Sequence, residues 1–253
     1  MRSMRATLAS GRLWPSGVVM RIAAKGFLAW HAEFTGDTWP SSLAHHYVAY
    51  RAHVRAKVGV LRARQEGRAA DAATDALFDL ALRHLEAGRV RLVLVGGPPG
   101  TGKSTVAAQV AERIDGVVLR TDERRTAPSG VRYTPREVRA TYERLMADAE
   151  QLVRRGEHVV LDATFGDPAV RALARQVAEG TASDLTELRC SLPVEEAERR
   201  IARRMGAGGD PSEATPAVAR VLAAAFAPWP EALELDTSLS VDQVVARAVT
   251  EVG

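Results

Sequence analysis

The residues Gly97-Pro98-Pro99-Gly100-Thr101-Gly102-Lys103-Ser104 combine types and a spacing that can do chemistry, G-x-x-x-x-G-K-[ST]. Glycines let a backbone bend until successive N–H groups converge on an anion. A helix that starts at the end of such a loop adds unpaired N–H groups and the positive end of its dipole. A lysine there supplies charge to the β- and γ-phosphates of a nucleoside triphosphate, and the adjacent hydroxyl can ligate Mg²⁺. The expectation is therefore that Gly97–Ser104, with Thr105, binds ATP, that Lys103 also stabilises a transferring phosphoryl group, and that Ser104 holds Mg²⁺. The alternative is a glycine-rich turn between a strand and a helix. The apolar run Leu92–Val95 before the loop and the amphipathic run from Ser104-Thr105-Val106 after it give the strand–loop–helix setting that a phosphate site requires.

Two acids complete the constellation. His158-Val159-Val160-Leu161-Asp162 is an apolar run that ends in a carboxylate. A phosphate-loop protein needs an acid at a strand end beside the metal, so Asp162 is expected to help hold Mg²⁺, with Thr164 leaving the same edge towards the substrate. Asp162 could instead cap the helix after Pro168, although Asp167 suits that better. The run Val117–Arg120 leads into Thr121-Asp122-Glu123-Arg124-Arg125. A carboxylate at this strand end can take the proton of an attacking hydroxyl, and arginines beside it can hold an anionic substrate. Asp122 is thus a candidate base, and Arg124 and Arg125 are candidate substrate contacts; an ordinary cap with a solvated basic face is the competing reading.

A basic helix over 194–205 carries Arg199, Arg200, Arg203 and Arg204, followed by the loop candidate Gly206–Ser212. Arg200 and Arg204, four apart, share a face, and arginines on a hinged segment can close over a nucleotide and neutralise the transferring group. The competing reading pairs these arginines with Glu195, Glu196 and Glu198 on a solvated face. Trp229, within Pro228-Trp229-Pro230, reads as a buried structural residue ahead of an adenine contact. Cys190 reads as core, and His45 and His46 have no metal-ligand spacing.

Positioning these residues requires a particular order of elements. Short β-rich runs, Leu92–Val95, Val117–Arg120, His158–Leu161, Leu185–Cys190 and Leu233–Leu235, alternate with helical patterns near 103–113, 136–155, 168–179, 194–205, 216–226 and 241–250. Near-continuous apolar strands separated by helices predict an α/β fold, a five-stranded parallel sheet covered on both faces. Upstream, Leu43, Tyr47, Tyr50, Val54, Val58 and Leu61 recur every three or four residues and predict a helix over 41–65 with that stripe buried. A second helix is expected over 69–87, the pair packing against the downstream part of the chain. The organisation is read as an irregular leader over 1–40, a helical appendage over 41–88 and a phosphate-loop domain over 89–253.

Composition is that of an ordinary globular protein, 46% hydrophobic and 26% charged. Of 34 Lys and Arg only Lys25, Lys57 and Lys103 are lysines. The formal charge of +3 is small and scattered, which argues against nucleic acid as a partner. The single cysteine allows no internal disulfide, and no apolar stretch is long enough for a membrane span, so cytoplasm is the expectation. The first 32 residues carry Arg2, Arg5, Arg12, Arg21 and Lys25 without an acid, and read as a disordered leader or an upstream start. No [NT]-K-x-D run follows the loop, which disfavours guanine nucleotides.

Together, Gly96–Thr105, Arg120-Thr121-Asp122, Val159–Thr164 and the arginine helix with Asp210–Thr215 resemble the P-loop kinases of the zeta-toxin-like group, an AAA-type ATP-binding group. That group is itself similar to gluconate, chloramphenicol and polynucleotide 5′-hydroxyl kinases. The resemblance covers about residues 89–250 and implies a phosphotransferase that moves the γ-phosphoryl group of ATP to a hydroxyl of a small molecule. Residues 27–66, notably Trp39-Pro40 and His46–Ala52, look like the end of an aminoglycoside-phosphotransferase-like domain, which in fused proteins precedes such a kinase. No H-x-D catalytic loop is present, so the resemblance carries no aminoglycoside activity and implies a separated C-terminal half. Glu213 stands where the resemblance implies an aspartate. A non-catalytic ATP-binding module and an ATPase that uses water are the rival functions.

Overall fold

The structure is a computed structural model that describes Phe34 and residues 39–124, 134–207 and 215–253. Pro40–Gly253 forms one compact unit. It opens with α1 (Ser41–Gln65) and α2 (Ala72–Ala87), followed by β1 (Arg91–Gly96), α3 (Lys103–Ile114), β2 (Gly116–Arg120) and a single 3₁₀ turn at Asp122–Arg124. Then come α4 (Pro135–Arg154), β3 (His158–Asp162), α5 (Pro168–Thr181), β4 (Asp184–Ser191), α6 (Val194–Ala207), α7 (Pro216–Ala224), β5 (Leu233–Asp236) and α8 (Val241–Val252).

Among the described residues the strands form one five-stranded parallel sheet in the order β2-β3-β1-β4-β5. The strand period of two splits the side chains of β1 between two cores. Leu92 and Leu94 join Leu161, Leu145 and Phe165 on the face covered by α4 and α5. Val93 and Val95 join Val110, Val160 and Val244 on the face covered by α3 and α8. Because both faces are covered, β1 and β3 read as continuous apolar runs and are buried throughout apart from the half-buried Arg91. The register sets Val95 beside Asp162 and Arg120 beside Asp162, so three strand ends meet at one edge.

Helix ends follow local chemistry. Asp71 caps α2, which starts at Ala72 and not 69; Thr134 caps α4, Asp167 caps α5 and Thr215 caps α7, the last three with proline in the first turn. Asp167 therefore takes the capping role, and Asp162 stays on its strand.

The first two helices depart from expectation. They pack antiparallel, with His45 against His84, His53 against Phe78 and Gly59 against Thr74. The buried side of α1 consists of Ser42, Ala49, Ala52, Ala56 and Ala63. Leu43, Tyr47, Tyr50, Val58 and Leu61 are instead 40–61% exposed, and Val54 is half-buried. The two sets lie about 160° apart around a helix of roughly 100° per residue. Both sets have helical periodicity, and close approach of the axes favours the small residues: a Cβ on Gly59 would stand 2.6 Å from Thr74 Oγ1. The pair meets the sheet domain at its base, where Ser42 Oγ donates to Gly156 O at 2.6 Å and Gly88 lies against His45. Among the described residues no helix is long and apolar enough to cross a membrane.

Candidate nucleotide and metal site

The loop between β1 and α3 has the geometry an anion cradle needs. Gly97, Gly100 and Gly102 all have positive φ, at 142°, 84° and 82°. At Gly97 and Gly100 side chains are excluded as well: an added Cβ would meet Cys190 O at 2.6 Å and Ala197 O at 2.7 Å. Thr101 is buried and turned inward, its hydroxyl donating to Pro98 O at 2.8 Å. The loop is tied to the neighbouring strand end by Gly97 N–H, which donates to Thr164 O at 3.0 Å. Lys103 and Ser104 then open α3 after the left-handed Gly102, so the first N–H groups of the helix lie within the loop. Pro98 and Pro99 supply wall and rigidity and donate no N–H.

Asp162 sits at the end of β3, 5% exposed, and its Oδ1 has no hydrogen-bond partner. Its Oδ2 is 3.6 Å from Arg120 Nε. Burial pushes the carboxyl above its usual range; Lys103, a bond with Ser104 and Arg120 pull it down, and Asp122 pushes it up. Lys103, Ser104, Arg120 and Asp122 are thus the groups whose charge or hydroxyl acts on this carboxylate. An acid that is desolvated, incompletely bonded and beside a hydroxyl fits a hard divalent cation: Mg²⁺ takes few protein ligands and completes its shell with phosphate and water oxygens. Ser104 and Asp162 are the residues that would hold it. Among the described residues no cluster of three His, Cys, Asp or Glu competes as a metal centre.

On the β2 side, Asp122 opens the 3₁₀ turn and is half-buried. Arg124 is engaged within the protein: Nε donates to Asp148 Oδ2 at 2.7 Å and Nη1 to Arg120 O at 3.2 Å. It holds the turn that carries Asp122. Arg125 lies outside the described residues, as do Asp210 and Glu213. Thr164 contributes its carbonyl to Gly97. On α6 the arginines divide. Arg199 pairs with Glu196 at 2.8 Å and is largely exposed. Arg200 reaches across to Thr237 O at 2.9 Å, and its Nη1 lies 3.6 Å from where a Cβ on Gly102 would stand. Arg204 is half-buried on the same face, and Glu198 is occupied by Arg220. The helix thus brings Arg200 to the phosphate loop and leaves Arg199 on a solvated face. Gly206 and Ala207 are still helical, and the rest of the loop expected over 206–212 lies outside the described residues.

A family model described as "AAA domain" matches residues 92–229, more than half of the chain, from β1 to Trp229. The chain belongs to this AAA-domain family. Curated relatives include the uncharacterised proteins Rv2004c of Mycobacterium tuberculosis H37Rv and Mb2027c of Mycobacterium bovis, each 43% identical over 237 residues. These matches cover 88% of this chain and 47% of the relative, so the chain spans about half the length of the curated relatives it matches. Among solved structures, a sugar kinase from Janibacter sp. HTCC2649 aligns with a TM-score of 0.53 and 20% identity, covering 64% of this chain and 94% of that one. The Mycobacterium tuberculosis APS kinase CysC, in complex with AMPPNP and APS, aligns with a TM-score of 0.51 and 23% identity, covering 64% and 96%. At these identities the likeness is one of fold, and the fold is that of P-loop kinases.

Beneath the nucleotide loop of this AAA-domain protein lies a layer that motif reading missed. Arg171 is 2% exposed, and its guanidinium donates to Phe165 O, Gly166 O, Ala227 O and Pro228 O at 2.6–3.3 Å. It stacks 4.6 Å from the Trp229 ring and 5.3 Å from Phe226. The Trp229 indole donates to Glu187, whose carboxylate also takes two bonds from Arg175 at 2.7 and 2.9 Å. Burial pushes Glu187 up, but the bonds from Arg175 and Trp229 outweigh it and hold the carboxyl below its usual range. Trp229 is thus structural, packed against Phe165 and so near Gly96 that any side chain there would collide. Phe165 has a left-handed φ of 52°, a costly conformation for a residue with a Cβ. Its N–H bond to Tyr142 Oη at 3.0 Å and its carbonyl bond to Arg171 hold it there, immediately after Thr164. The sequence signal was a glutamate inside the run Leu185–Cys190 and an arginine on the apolar face of α5. Cys190 is core as expected, its thiol pushed up to about 12 by burial.

Proposed function

We propose that this chain is an ATP-dependent phosphotransferase that moves the γ-phosphoryl group to a hydroxyl of a small molecule. The observation that carries this reading is the buried, incompletely bonded carboxylate of Asp162 at the end of β3, a strand that lies between β1, which leads into the phosphate loop, and β2, which ends at Arg120. The loop amides and Lys103 bind the phosphates; Ser104 and Asp162 hold Mg²⁺, which neutralises phosphate charge when bound. Arg200, and Arg204 from the same face of α6, stabilise charge on the transferring group. Asp122 takes the acceptor's proton as its oxygen attacks, Arg124 fixes the turn that presents Asp122, and Thr164 and Arg125 meet the acceptor.

The P-loop kinase fold supports phosphoryl transfer as the reaction class. The named sugar and APS kinases make sugars and nucleotide-borne hydroxyls the first acceptors to try. A second acidic position on the β2 side of the metal site favours transfer over passive binding, because binding ATP·Mg²⁺ needs only the loop and Asp162. The test is a screen with γ-labelled ATP against sugars, nucleotides, amino-sugar drugs and polynucleotide 5′ ends, read as acceptor-dependent ADP release and a labelled product. ADP release that no acceptor stimulates makes the protein an ATPase. ATP binding without release makes it a regulatory module.

A further inference from the structure

We propose that the outer face of α1 is a docking surface, and that its occupant is an apolar, acid-rimmed surface on the further polypeptide that relatives of twice this length carry. The proposal stands independently of the kinase reading. Three observations carry it. The face is apolar and open: Leu43, Tyr47, Tyr50, Val58 and Leu61 are 40–61% exposed and follow one another along one side of a 25-residue helix. Contiguous exposed apolar surface of this kind marks a contact site. The helix already has its internal partner, because α2 takes the opposite, alanine-lined side.

Charge then selects the kind of occupant. Residues 41–65 hold Arg51, Arg55, Lys57, Arg62 and Arg64 and not one acid. On a helix of roughly 100° per residue, Arg51, Arg55 and Arg62 flank the apolar stripe on one side, and Lys57 and Arg64 flank it on the other. All five are exposed. A second copy of this face would bring cation against cation, whereas acids around an apolar patch would satisfy both rims.

Length says where such a surface is found. The match to Rv2004c runs over 88% of this chain, and a helix pair that starts at Ser41 and ends at Ala87 lies inside any stretch of that length. The relative therefore carries the pair and about as much polypeptide again. The base of the pair is fixed to the sheet domain through Ser42 and Gly156, so the outer face of α1 is presented at a defined position relative to the nucleotide site.

Amide hydrogen exchange on full-length Rv2004c and on this chain tests the proposal. Peptides of the helix aligned with α1 are expected to exchange at least about tenfold more slowly in Rv2004c than in this chain, with β1 and β3 alike in both. Glutamates at the Rv2004c positions aligned with Tyr50 and Val58 should return that helix to the faster rate. Tyr50→Glu with Val58→Glu in this chain should leave its melting temperature within about 2 °C. If the Rv2004c double variant aggregates, glutamates aligned with Arg51 and Arg55 replace it, and the same acceleration is expected. Equal exchange in the two proteins overturns the proposal. So does a dimer of this chain that the double variant dissociates, which makes a second copy the occupant. Co-sedimentation of this chain, but not of the variant, with phosphatidylglycerol vesicles overturns it in favour of a lipid surface.

Discussion

The sheet domain and the helix pair use the same kind of signal, apolar residues at regular spacing, and reach opposite ends. In β1 and β3 every strong apolar residue is buried. In α1 the larger apolar residues are exposed and alanines fill the contact. A strand in the middle of a sheet has two neighbours and two covering layers, so each of its side chains meets protein whichever way it points. Among the described residues, α1 packs along its length on α2 alone and meets the sheet domain at its base. Its periodicity shows that a face exists, and only the partner decides which of two faces is used.

This contrast can be broken at the site first. Lys103→Ala is expected to lower phosphoryl transfer by 10³-fold or more, on the order of 4 kcal/mol of transition-state stabilisation, with the melting temperature unchanged because the side chain serves a ligand. Transfer at the wild-type rate in a folded Lys103→Ala protein would remove the loop from the reaction. Asp122→Asn keeps shape and loses the proposed base, so acceptor-dependent turnover should fall by roughly 10²–10⁴-fold. Affinity for a non-hydrolysable ATP analogue, measured by calorimetry, should hardly move. If turnover persists, Asp122 is a turn residue and the β2 side is scaffold.

The contrast in packing is sharpened by a matched pair of substitutions. Leu161→Ala removes a fully buried side chain between β1 and β2 and should cost about 2–5 kcal/mol in urea unfolding. Val58→Ser on the outer face of α1 should cost less than about 0.5 kcal/mol. Similar losses would mean that the stripe is buried in solution.

Asp162 sets function against stability. Its carboxylate is buried with Oδ1 unbonded, so Asp162→Asn should weaken Mg²⁺-dependent nucleotide binding by about 10–100-fold. The same change should raise the melting temperature of the ligand-free protein by a few °C. A fall in both quantities would assign Asp162 a purely structural role.

The smallest effect lies at the junction of the two regions. His158 is buried, and its Nδ1 accepts from Arg91 N–H. Burial first, then the charge of Arg91, holds its folded pKa below the ordinary 6.5. The unfolded chain takes up this proton first as pH falls, so the stability tied to a neutral His158 is present above 6.5 and is lost downwards from it, until the folded imidazole also protonates. His158→Asn, which keeps an acceptor near Nδ1, should flatten the decline in stability between about pH 7 and 5. An unchanged slope would place the titrating group elsewhere.

The chemistry of the nucleotide loop was legible because it is local. Glycines at fixed offsets specify a backbone path within eight consecutive residues, and the apolar runs on either side specify strand and helix. Asp162 was legible for a related reason: a strand that is apolar to its end and stops at an acid can present it only at the sheet edge. By itself, then, the sequence determined the fold class, the order of elements, the strand–loop–helix setting of Gly97–Ser104 and the place of Asp162 at a strand end. Tertiary structure alone decided what depends on distant partners. It placed Arg120 against Asp162, turned Arg124 inward to Asp148, and divided the arginines of α6 between solvent and loop. It buried Arg171 among four carbonyls drawn from two segments more than fifty residues apart in the chain. It also gave the inner side of α1 to alanines. In each case the residue type allows several partners of similar energy, and the choice falls to whichever groups the sheet and its crossings bring within reach.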